Sequence, residues 1–365
     1  MRGRRQGIVG AGLILLIGLA ACAPAGTAQA PDPGGLQALA RQRGLSWGSA
    51  IGSQALDDPE LMALLMRNVG SLTPENALKW DATEPAPGRF SLERMDRLLA
   101  FSARHHLALR GHTLVWHQQL PAWLNGLPAP QLRAALERHV RTLVGHGRGR
   151  IQSWDVVNEP IDPEGQGLRR GLWLDTLGPD FIADALRWAR QADPAARLLI
   201  NDYGLEGNDP QTARKRVAML QLIDDLQRRG VPLDGIGLQA HLLAPADDDP
   251  TFRSLPAFLS ELRRRGLQVE ITELDVSDRL LPADTAQRDR RVAATYDAFL
   301  KAVLPEPALR RITSWGLSDR GSWLNTTFPR PDGLPQRPLP YDEALRPKPA
   351  RSSIAERLQS IEPRR

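Results

Sequence analysis

The stretch IQSWDVVNEP, residues 151–160, decides the fold of this 365-residue chain. Its apolar and β-branched residues predict a buried strand, and Asn158 and Glu159 follow at the end of that strand. A second stretch, VEITELD at residues 269–275, places Glu273 after another β-type run. Each glutamate is therefore expected at the C-terminal end of a strand, held by a rigid sheet and free to meet the other. Hydrolysis of a glycosidic bond requires a carboxylate pair of this kind.

Short apolar strands and amphipathic helices alternate on both sides of these stretches. One predicted helix begins at Asp58-Pro59, another begins at Ser91, and two others end near Gly145 and at Gly230. The eight predicted strands are Leu45–Ile51, Asn68–Leu72, Leu107–Val115, Ile151–Val157, Arg197–Tyr203, Gly235–His241, Leu267–Thr272 and Ile312–Leu317. Uninterrupted β-then-α units predict an α/β fold, a single-domain (β/α)₈ TIM barrel. An open doubly wound sheet is the alternative, but no glycine-rich phosphate-binding phrase follows a strand.

The composition is that of an ordinary globular protein, with 42% hydrophobic and 24% charged residues. The formal net charge is +5, and the arginines are spread along the chain rather than massed in one run. This distribution favours a solvated, arginine-rich surface over a nucleic-acid-binding stripe. It leaves open an attraction to acidic substituents on a polymeric substrate.

The N-terminus predicts export. Basic residues at Met1–Arg5 precede an apolar run from Ile8 to Ala21, which is too short to span a bilayer comfortably. The run ends in Leu-Ala-Ala-Cys22, which resembles the lipobox of bacterial lipoproteins, cut before the cysteine and lipidated on it. A plain secretory signal is the alternative, and Arg4-Arg5 weakly suggests twin-arginine export.

Residues 1–22 are therefore expected to be a signal peptide ending at the lipidated Cys22, with the protein anchored to the bacterial cell envelope or otherwise secreted. Residues 23–35 have the composition of a flexible linker, and residues 36–360 are expected to form one catalytic domain. Cys22 is the one cysteine, so no internal disulfide is possible. A monomer that meets the membrane only through this anchor is expected.

Polar and aromatic residues concentrate at the ends of the predicted strands. Amides and carboxylates hydrogen-bond sugar hydroxyls, and flat aromatic faces stack on pyranose rings. The strand-end residues are Glu75, Asn76, Lys79, His112, Trp116, Gln119, Asn158, Glu159, Asn201, Asp202, Tyr203, Gln239, His241, Glu273, Asp275 and Trp315, with Trp323 in the loop beyond. The pattern predicts a carbohydrate-binding face at the C-terminal end of the barrel.

Six phrases in this order resemble glycoside hydrolase family 10, the endo-β-1,4-xylanases. They run over nearly the whole domain and are TPENALKW (73–80), GHTLVWHQQ (111–119), WDVVNEP (154–160), GIGLQAH (235–241), ITELD (271–275) and WGLSDRGSW (315–323). The resemblance implies a TIM barrel that hydrolyses internal bonds of xylan with retention of configuration, without cofactor or metal.

The resemblance also implies individual roles. Glu159 matches the general acid/base and Glu273 the nucleophile, about 5–5.5 Å apart. Asn158 matches a contact to the sugar 2-hydroxyl, and His241 and Asp275 match a relay beside Glu273. The expected substrate-binding residues are Glu75, Asn76, Lys79, His112, Trp116, Gln119 and Gln239 on the non-reducing side, Trp315 and Trp323 around the cleavage subsite, and Tyr203. Gly204 follows Tyr203 where the family commonly has asparagine, which leaves the leaving-group subsites in doubt.

Other interpretations remain open at this point. The glutamates could form a structural ion pair, although their flanking phrases argue against it. A metal site is not expected, because His112 and His117, five residues apart on one strand, would point to opposite faces. Trp323 and Lys79 favour xylan, but a related barrel glycanase acting on cellulose or mixed β-glucan is an alternative. A non-catalytic glycan-binding surface protein is the third hypothesis.

Overall fold

The computed structural model describes residue 3 and residues 34–52, 55–246 and 251–364, and within these the chain forms one parallel β-barrel surrounded by helices. The strands are β1 Ser46–Ile51, β2 Ser71–Pro74, β3 Ala108–Val115, β4 Ser153–Asn158, β5 Arg197–Asp202, β6 Gly235–Leu238, β7 His241–Leu243, β8 Gln268–Ser277 and β9 Leu309–Ser314. The helices are α1 Leu36–Gln42, α2 Pro59–Asn68, α3 Trp80–Thr83, α4 Glu93–His105, α5 Ala129–His146, α6 Leu172–Leu177, α7 Asp180–Ala192, α8 Pro210–Arg228, α9 Leu255–Arg264, α10 Thr285–Val303, α11 Leu324–Thr327 and α12 Pro349–Ser360.

Strand pairing closes the barrel. The hydrogen-bonded order is β6-β5-β4-β3-β2-β1-β9-β8, and a further pairing of β6 with β8 completes the ring. The short strand β7 pairs with the second half of β8 and extends the wall that β6 begins. One helix follows each barrel strand on the outside: α2, α4, α5, α7, α8, α9, α10 and α12. The predicted (β/α)₈ barrel is confirmed.

Local sequence signals account for several helix ends. The Asp58 side chain accepts hydrogen bonds from the backbone N–H of Glu60 and Leu61, at 3.1 and 3.0 Å, and caps α2 as predicted. The side chains of Asp209 and Asp284 cap α8 and α10 in the same way. Gly230, just past α8, has φ 60°, a left-handed conformation that glycine adopts without steric cost.

Several predicted strand bounds are wrong. The last barrel strand is Leu309–Ser314 instead of the predicted Ile312–Leu317. Asn68 ends helix α2 instead of opening β2, because its side chain bonds back to the carbonyl of Leu64. The predicted strand 235–241 divides into β6 and β7, because the backbone between them turns at Ala240, which has φ 59°. Strand β8 continues to Ser277, so that Glu273 lies within the strand rather than after it.

The lower barrel interior holds buried charges. Arg110 donates to Asp155 Oδ1 through Nη2 at 2.7 Å and to Glu270 Oε2 through Nε at 2.8 Å, and all three side chains are buried. The neighbouring Gly111 is required by packing. The Trp154 ring lies against it, and a Cβ on Gly111 would approach that ring to 2.1 Å. Trp154 is itself fully buried and serves packing rather than ligand contact.

Helix α1 and the C-terminal end of α12 lie at the barrel end where the strands begin. Arg43, just after α1, donates to the carbonyls of Leu358 and Gln359 in α12. The backbone N–H of Leu36 reaches the side chain of Asn68, just ahead of β2. The chain therefore enters the barrel from the end opposite the C-terminal strand ends. In the described ranges no helix combines the length and apolarity needed to cross a bilayer.

Candidate active site

A cleft of about 820 Å³ lies across the C-terminal ends of the strands. The sequence-predicted residues that line it are Glu75, Asn76, Lys79, His112, Trp116, Gln119, Asn158, Glu159, Tyr203, Gln239, His241, Glu273, Asp275, Trp315 and Trp323. The structure thus brings together every predicted site residue except Cys22, which lies outside the described residues.

Glu273 is buried in a set of hydrogen-bond donors. Its Oε1 accepts from Asn201 Nδ2 at 2.7 Å, and its Oε2 lies 3.1 Å from His241 Nε2. Burial alone would raise the pKa of this carboxyl group. The field of the His112 imidazole and the hydrogen bonds from His241 and Asn201 outweigh burial and lower the pKa to about 2. Glu273 is therefore ionised at neutral pH.

His241 connects Glu273 to a second carboxylate. Its Nδ1 lies 2.9 Å from Asp275 Oδ1, and the indole Nε1 of Trp323 donates to Asp275 Oδ2 at 2.7 Å. Burial lowers the pKa of His241, but the charge and hydrogen bond of Asp275 and the contact with Glu273 raise it well above its ordinary value. The imidazole is therefore held as a cation between two carboxylates.

Asn201, at the end of β5, ties the two halves of the site together. Its Nδ2 also donates to Asn158 Oδ1 at 2.8 Å, and its Oδ1 accepts from the Thr272 hydroxyl at 2.6 Å. Gly237 on the next strand leaves room for this amide, because a Cβ there would lie 2.3 Å from Asn201 Oδ1. The sequence places Asn201 at a strand end but does not indicate its contact with Glu273.

Glu159 occupies a different environment. Its Oε1 accepts from Gln239 Nε2 at 3.0 Å and from Asn158 Nδ2 at 3.3 Å. Its backbone has φ 55°, a conformation uncommon outside glycine. Two hydrogen bonds fix the Glu159 backbone. Its N–H donates to the Asn201 carbonyl at 2.7 Å, and the Glu159 carbonyl accepts from Arg169 Nε at 2.8 Å.

One end of the cleft is built by the loops after β2 and β3. Lys79 Nζ donates to Asn76 Oδ1 at 3.0 Å and lies 4.7 Å from the centre of the Trp116 ring. Gln119 donates to the same Asn76 oxygen at 3.2 Å. Burial raises the pKa of Glu75, although the positive charge of Lys79 opposes the shift. Burial also lowers the pKa of Lys79, although the negative charge of Glu75 is among those that oppose that shift. This end presents amides, a cation and an indole to a ligand.

Two tryptophans frame the centre of the cleft. The Trp315 ring meets the His112 ring edge-on at 5.3 Å, and the Trp323 ring lies 4.9 Å from the His241 ring. His112 Nδ1 is fixed by Asp155 Oδ2 at 2.9 Å, so the buried charges of the barrel interior reach the cleft floor. The rings cross at steep angles, 75° for the first pair and 54° for the second, and all four line the cleft.

On the β5 side, Tyr203 is fixed by cations. Lys215 Nζ lies 3.8 Å from the centre of the Tyr203 ring and donates to Asp202 Oδ1 at 2.9 Å. Burial raises the pKa of Asp202 to about 6, although Lys215 opposes the shift. Arg169 donates from Nη2 to the Tyr203 hydroxyl at 2.9 Å.

Several residues of the cleft wall carry no clear signal in the sequence. Arg169 contacts both Glu159 and Tyr203 from an irregular loop, where no periodic pattern marks it. His117 was expected to face away from His112. Because β3 ends at Val115, both imidazoles line the cleft, and His117 Nδ1 lies 3.7 Å from Glu159 Oε2. Further wall residues are Gln118, Gly204, Leu242, Leu243, Ser277, Arg279, Leu324, Thr326, Thr327 and Phe328. Across the described ranges no three His, Cys, Asp or Glu side chains are grouped to hold a metal ion.

Solved structures share this architecture. Native xylanase 10B from Thermotoga maritima superposes with a TM-score of 0.82 at 33% identity, covering 89% of this chain and 98% of that one. Xylanase 10B from Thermotoga petrophila RKU-1, solved with xylobiose, gives a TM-score of 0.82 at 33% identity over 89% and 97% of the two chains. An intracellular xylanase of Thermoanaerobacterium saccharolyticum, as a mutant with xylotetraose, gives 0.78 at 29% identity over 90% and 99%.

Sequence comparisons agree. Endo-1,4-beta-xylanase B of Thermotoga neapolitana is 36% identical over 329 residues, which span 89% of this chain and 91% of that protein. Endo-1,4-beta-xylanase C of Phanerodontia chrysosporium is 36% identical over 327 residues, spanning 88% and 78%. The family model described as glycosyl hydrolase family 10 matches residues 35–357. With its closed barrel and paired glutamates, the chain belongs to glycosyl hydrolase family 10.

Proposed function

We propose that this enzyme is a retaining endo-1,4-β-xylanase that cleaves internal bonds of xylan, with Glu273 as nucleophile and Glu159 as acid/base. The observation that carries the proposal is the different environment of the two carboxylates in one cleft. His112, His241 and Asn201 lower the pKa of Glu273 to about 2, and the last two contact it directly at 3.1 and 2.7 Å. The direct hydrogen bonds to Glu159 come from the neutral amides of Gln239 and Asn158. The imidazole of His117 and the guanidinium of Arg169 stay 3.7 and 3.9 Å from the Glu159 carboxylate. Relatives named as endo-1,4-beta-xylanases, and a neighbour solved with xylobiose, support xylan as the substrate.

In the first step, the Glu273 carboxylate attacks the anomeric carbon while Glu159 transfers its proton to the departing glycosidic oxygen. The bond between sugar and leaving chain breaks, and a covalent glycosyl ester forms on Glu273. Asn158 is placed to hydrogen-bond the 2-hydroxyl of the sugar, a contact that strengthens as the transition state forms. Asn201 holds Asn158 for this task through its 2.8 Å hydrogen bond.

In the second step, Glu159 acts as base. Esterification removes the negative charge from Glu273, and Glu159, now ionised, takes a proton from water as that water attacks the anomeric carbon. The bond from the anomeric carbon to Glu273 breaks at the same time, which releases the sugar and returns Glu273 as a carboxylate. Two inversions at one carbon give net retention. The expected carboxyl separation is about 5–5.5 Å, which leaves no room for a water between nucleophile and sugar.

The remaining cleft residues select the sugar chain. Glu75, Asn76, Lys79 and Gln119 supply polar contacts on the non-reducing side, and Trp116, His112 and Gln239 complete that wall. Trp315 and Trp323 enclose the cleavage subsite, and the position of Trp323 over it favours xylose, which lacks a hydroxymethyl group. Tyr203 borders the leaving-group side. Cellulose or mixed β-glucan as substrate, and glycan binding without hydrolysis, are the competing outcomes.

Product analysis tests the proposal. The purified protein is incubated with xylan, carboxymethylcellulose and mixed β-glucan, and products are separated while proton NMR follows the first anomer released. We expect a spread of xylo-oligosaccharides that appear initially as β-anomers, and no xylan hydrolysis by Glu273→Ala. Hydrolysis of the glucans at equal rate, initial α-anomers, or wild-type activity in Glu273→Ala would each overturn it, as would tight binding without reducing sugar.

We further propose that residues 1–22 direct export and that a lipid on Cys22 anchors a monomer to the cell envelope, with residues 23–35 as tether and 36–360 as the catalytic domain. The support is the basic start, the apolar run and the Leu-Ala-Ala-Cys22 ending. Cells fed a labelled fatty acid should label the wild type and not Cys22→Ser, and the variant should leave the membrane fraction. Equal labelling or equal release would exclude the anchor.

A further inference from the structure

Both tryptophans of the cleavage subsite belong to the loop that follows β9, residues 315–323, here named the tryptophan loop. Trp315 opens this loop, Trp323 ends it, and both rings line the cleft. The Trp323 indole donates to Asp275 Oδ2 at 2.7 Å, so a shift of the loop would also disturb the contact of Asp275 with His241. Residues 316–322 do not line the cleft themselves. They can act on a bound sugar only by fixing where the two indoles lie.

A buried ion pair fixes the middle of the tryptophan loop. Asp319 Oδ2 accepts from Lys348 Nζ at 2.8 Å, and the two side chains are 5% and 3% exposed. Asp319 Oδ1 accepts from the backbone N–H of Leu339 at 2.9 Å, and the Asp319 N–H donates to the Tyr341 carbonyl at 2.9 Å. Both carboxylate oxygens and the backbone N–H of Asp319 are thus bound to the segment 335–348, which does not line the cleft.

Lys348 connects this pair to the outer helices of the barrel. It is the residue just before α12, and its Nζ also donates to the Arg337 carbonyl at 2.6 Å. The Arg337 guanidinium forms two 2.8 Å hydrogen bonds with the carboxylate of Asp289 in α10, and Lys348 Nζ lies 3.9 Å from that carboxylate. Since α10 and α12 pack against each other, one ammonium group ties the tryptophan loop to two helices.

The pair costs free energy to bury. Burial raises the pKa of Asp319 to about 6 and lowers that of Lys348, although each charge opposes the shift of the other. Loss of hydration therefore outweighs the attraction between the two groups, and an apolar pair of the same size would be at least as stable. What a buried pair does provide is one fixed arrangement, because a displaced Asp319 would leave the ammonium group and the Leu339 N–H without partners.

We propose that Asp319 and Lys348 are positioning residues that set the sugar selectivity of the cleavage subsite by holding Trp315 and Trp323 in place. The Asp319 carbonyl accepts from the N–H of Ser322, the residue before Trp323, at 3.2 Å. A fixed indole excludes the hydroxymethyl group that glucose carries on C5, whereas a loop free to shift admits it. The inference rests on the proposed xylanase function, in which Trp323 favours xylose, and names the residues that keep Trp323 there.

Two aryl glycosides that differ only in their hydroxymethyl groups measure the selectivity. An aryl β-xylobioside and an aryl β-cellobioside with the same leaving group are hydrolysed by the wild type, Asp319→Asn and Lys348→Met at pH 7.5, and the ratio of the two kcat/KM values is compared. We expect the wild type to prefer the xylobioside and each variant to lower the ratio by roughly 10-fold, because a pocket wall discriminates one small group by roughly 10- to 200-fold. Either variant with the wild-type ratio would overturn the proposal.

The double variant Asp319→Asn/Lys348→Met keeps the test decisive if a single variant fails to fold. A single change leaves one buried charge without its partner, whereas the double change removes both charges and is expected to preserve folding. Its ratio should nevertheless be as low as that of the single variants, because the tie to the loop is still missing. A folded double variant with wild-type selectivity would contradict the positioning role.

Glu306→Gln is the matched control, because Glu306 has the same kinds of contact at the other end of β9. It is 6% exposed, pairs with Arg263 Nε at 3.0 Å and accepts from the backbone N–H of Ala308 at 2.9 Å. Glu306→Gln should lower stability and leave the ratio unchanged. An equal fall in the ratio would assign the effect to general loosening and exclude a specific role of Asp319. A wild type that hydrolyses neither glycoside, or both equally well, would instead contradict the proposed xylanase function.

Discussion

Asn201 donates a 2.7 Å hydrogen bond from Nδ2 to Oε1 of Glu273. Nδ2 is the amide atom that faces Glu273, because an ionised carboxylate only accepts hydrogen bonds, and the Thr272 hydroxyl holds the other end of the amide by donating to its Oδ1 at 2.6 Å. A side chain on β5 thus helps to keep a carboxylate on β8 ionised.

In Asn201→Ala, the acid limb of the pH profile of kcat/KM should move to higher pH. A lost donor destabilises the ionised carboxylate, so the pKa of Glu273 rises from about 2, by about one unit. Rates on a soluble xylo-oligosaccharide from pH 2.5 to 7 measure the shift.

Thr272→Val is the graded control, since it removes only the hydroxyl that orients the amide. Its shift should have the same sign and a smaller size. An acid limb that stays in place in Asn201→Ala would show that this hydrogen bond does not set the ionisation of Glu273.

The depressed pKa of Glu273 also predicts an acid-dependent stability. A carboxyl group with a pKa of about 2 in the folded chain and an ordinary pKa of 4.5 stabilises the folded state above pH 4.5 and loses this contribution as pH falls toward 2. The loss is on the order of 3 kcal/mol. Urea unfolding of wild type and Glu273→Gln between pH 5 and 2.5 measures it.

The free energies of unfolding of these two proteins should converge or cross as the pH falls, with the wild type losing more. Parallel curves would contradict the prediction. Glu60→Gln, a change at a side chain 75% exposed, provides the reference for removing a carboxylate that is not buried.

Glu159→Ala should separate the two chemical steps. Hydrolysis of xylan should fall by roughly 10²- to 10⁴-fold, because the departing oxygen then receives no proton. An aryl xylobioside with a good leaving group needs no such help, so it should still release a burst of phenol. Added azide should accelerate turnover and yield a β-glycosyl azide.

The control for this variant is Glu75→Ala, which removes another carboxylate of the same cleft. The Glu75→Ala variant should hydrolyse both substrates more slowly, and azide should not restore its activity. Rescue in Glu75→Ala, or its absence in Glu159→Ala, would require the acid/base role to be reassigned.

Gly111→Ala should destabilise the barrel by about 2 kcal/mol or more, because the new methyl group meets the Trp154 ring at 2.1 Å in a packed interior. Thermal and urea unfolding measure the change. A Gly111→Ala protein as stable as wild type would mean that Trp154 moves freely.

Gly145→Ala is the matched control for this substitution. Gly145 lies within α5, and a Cβ there meets nothing within 4 Å. The same methyl group should therefore leave stability unchanged or raise it by up to about 1 kcal/mol through helix propensity.

The barrel and the central site were predictable because strand patterning and strand-end polar residues obey local rules. Glu159 and His241 each lie where a predicted strand ends, and parallel strands of a closed barrel bring such ends together. The catalytic neighbourhood therefore follows from the order of short phrases along the chain.

The features that could not be predicted from the sequence have physical causes too. His117 faces the cleft because β3 ends two residues before it, and the alternation of a strand stops there. The break at Ala240 depends on a tertiary contact, the 2.8 Å hydrogen bond from its N–H to Glu206. Arg169 and Arg279 lie in loops of an arginine-rich chain, where another arginine carries no local signal.

The entry of the chain at the start of the strands has a consequence for access. Leu36 and the last turn of α12 lie at the barrel end opposite the cleft, and neither α1 nor α12 contributes a residue to the cleft wall. A long, insoluble polysaccharide can therefore lie across the groove without touching the first described helix of the chain.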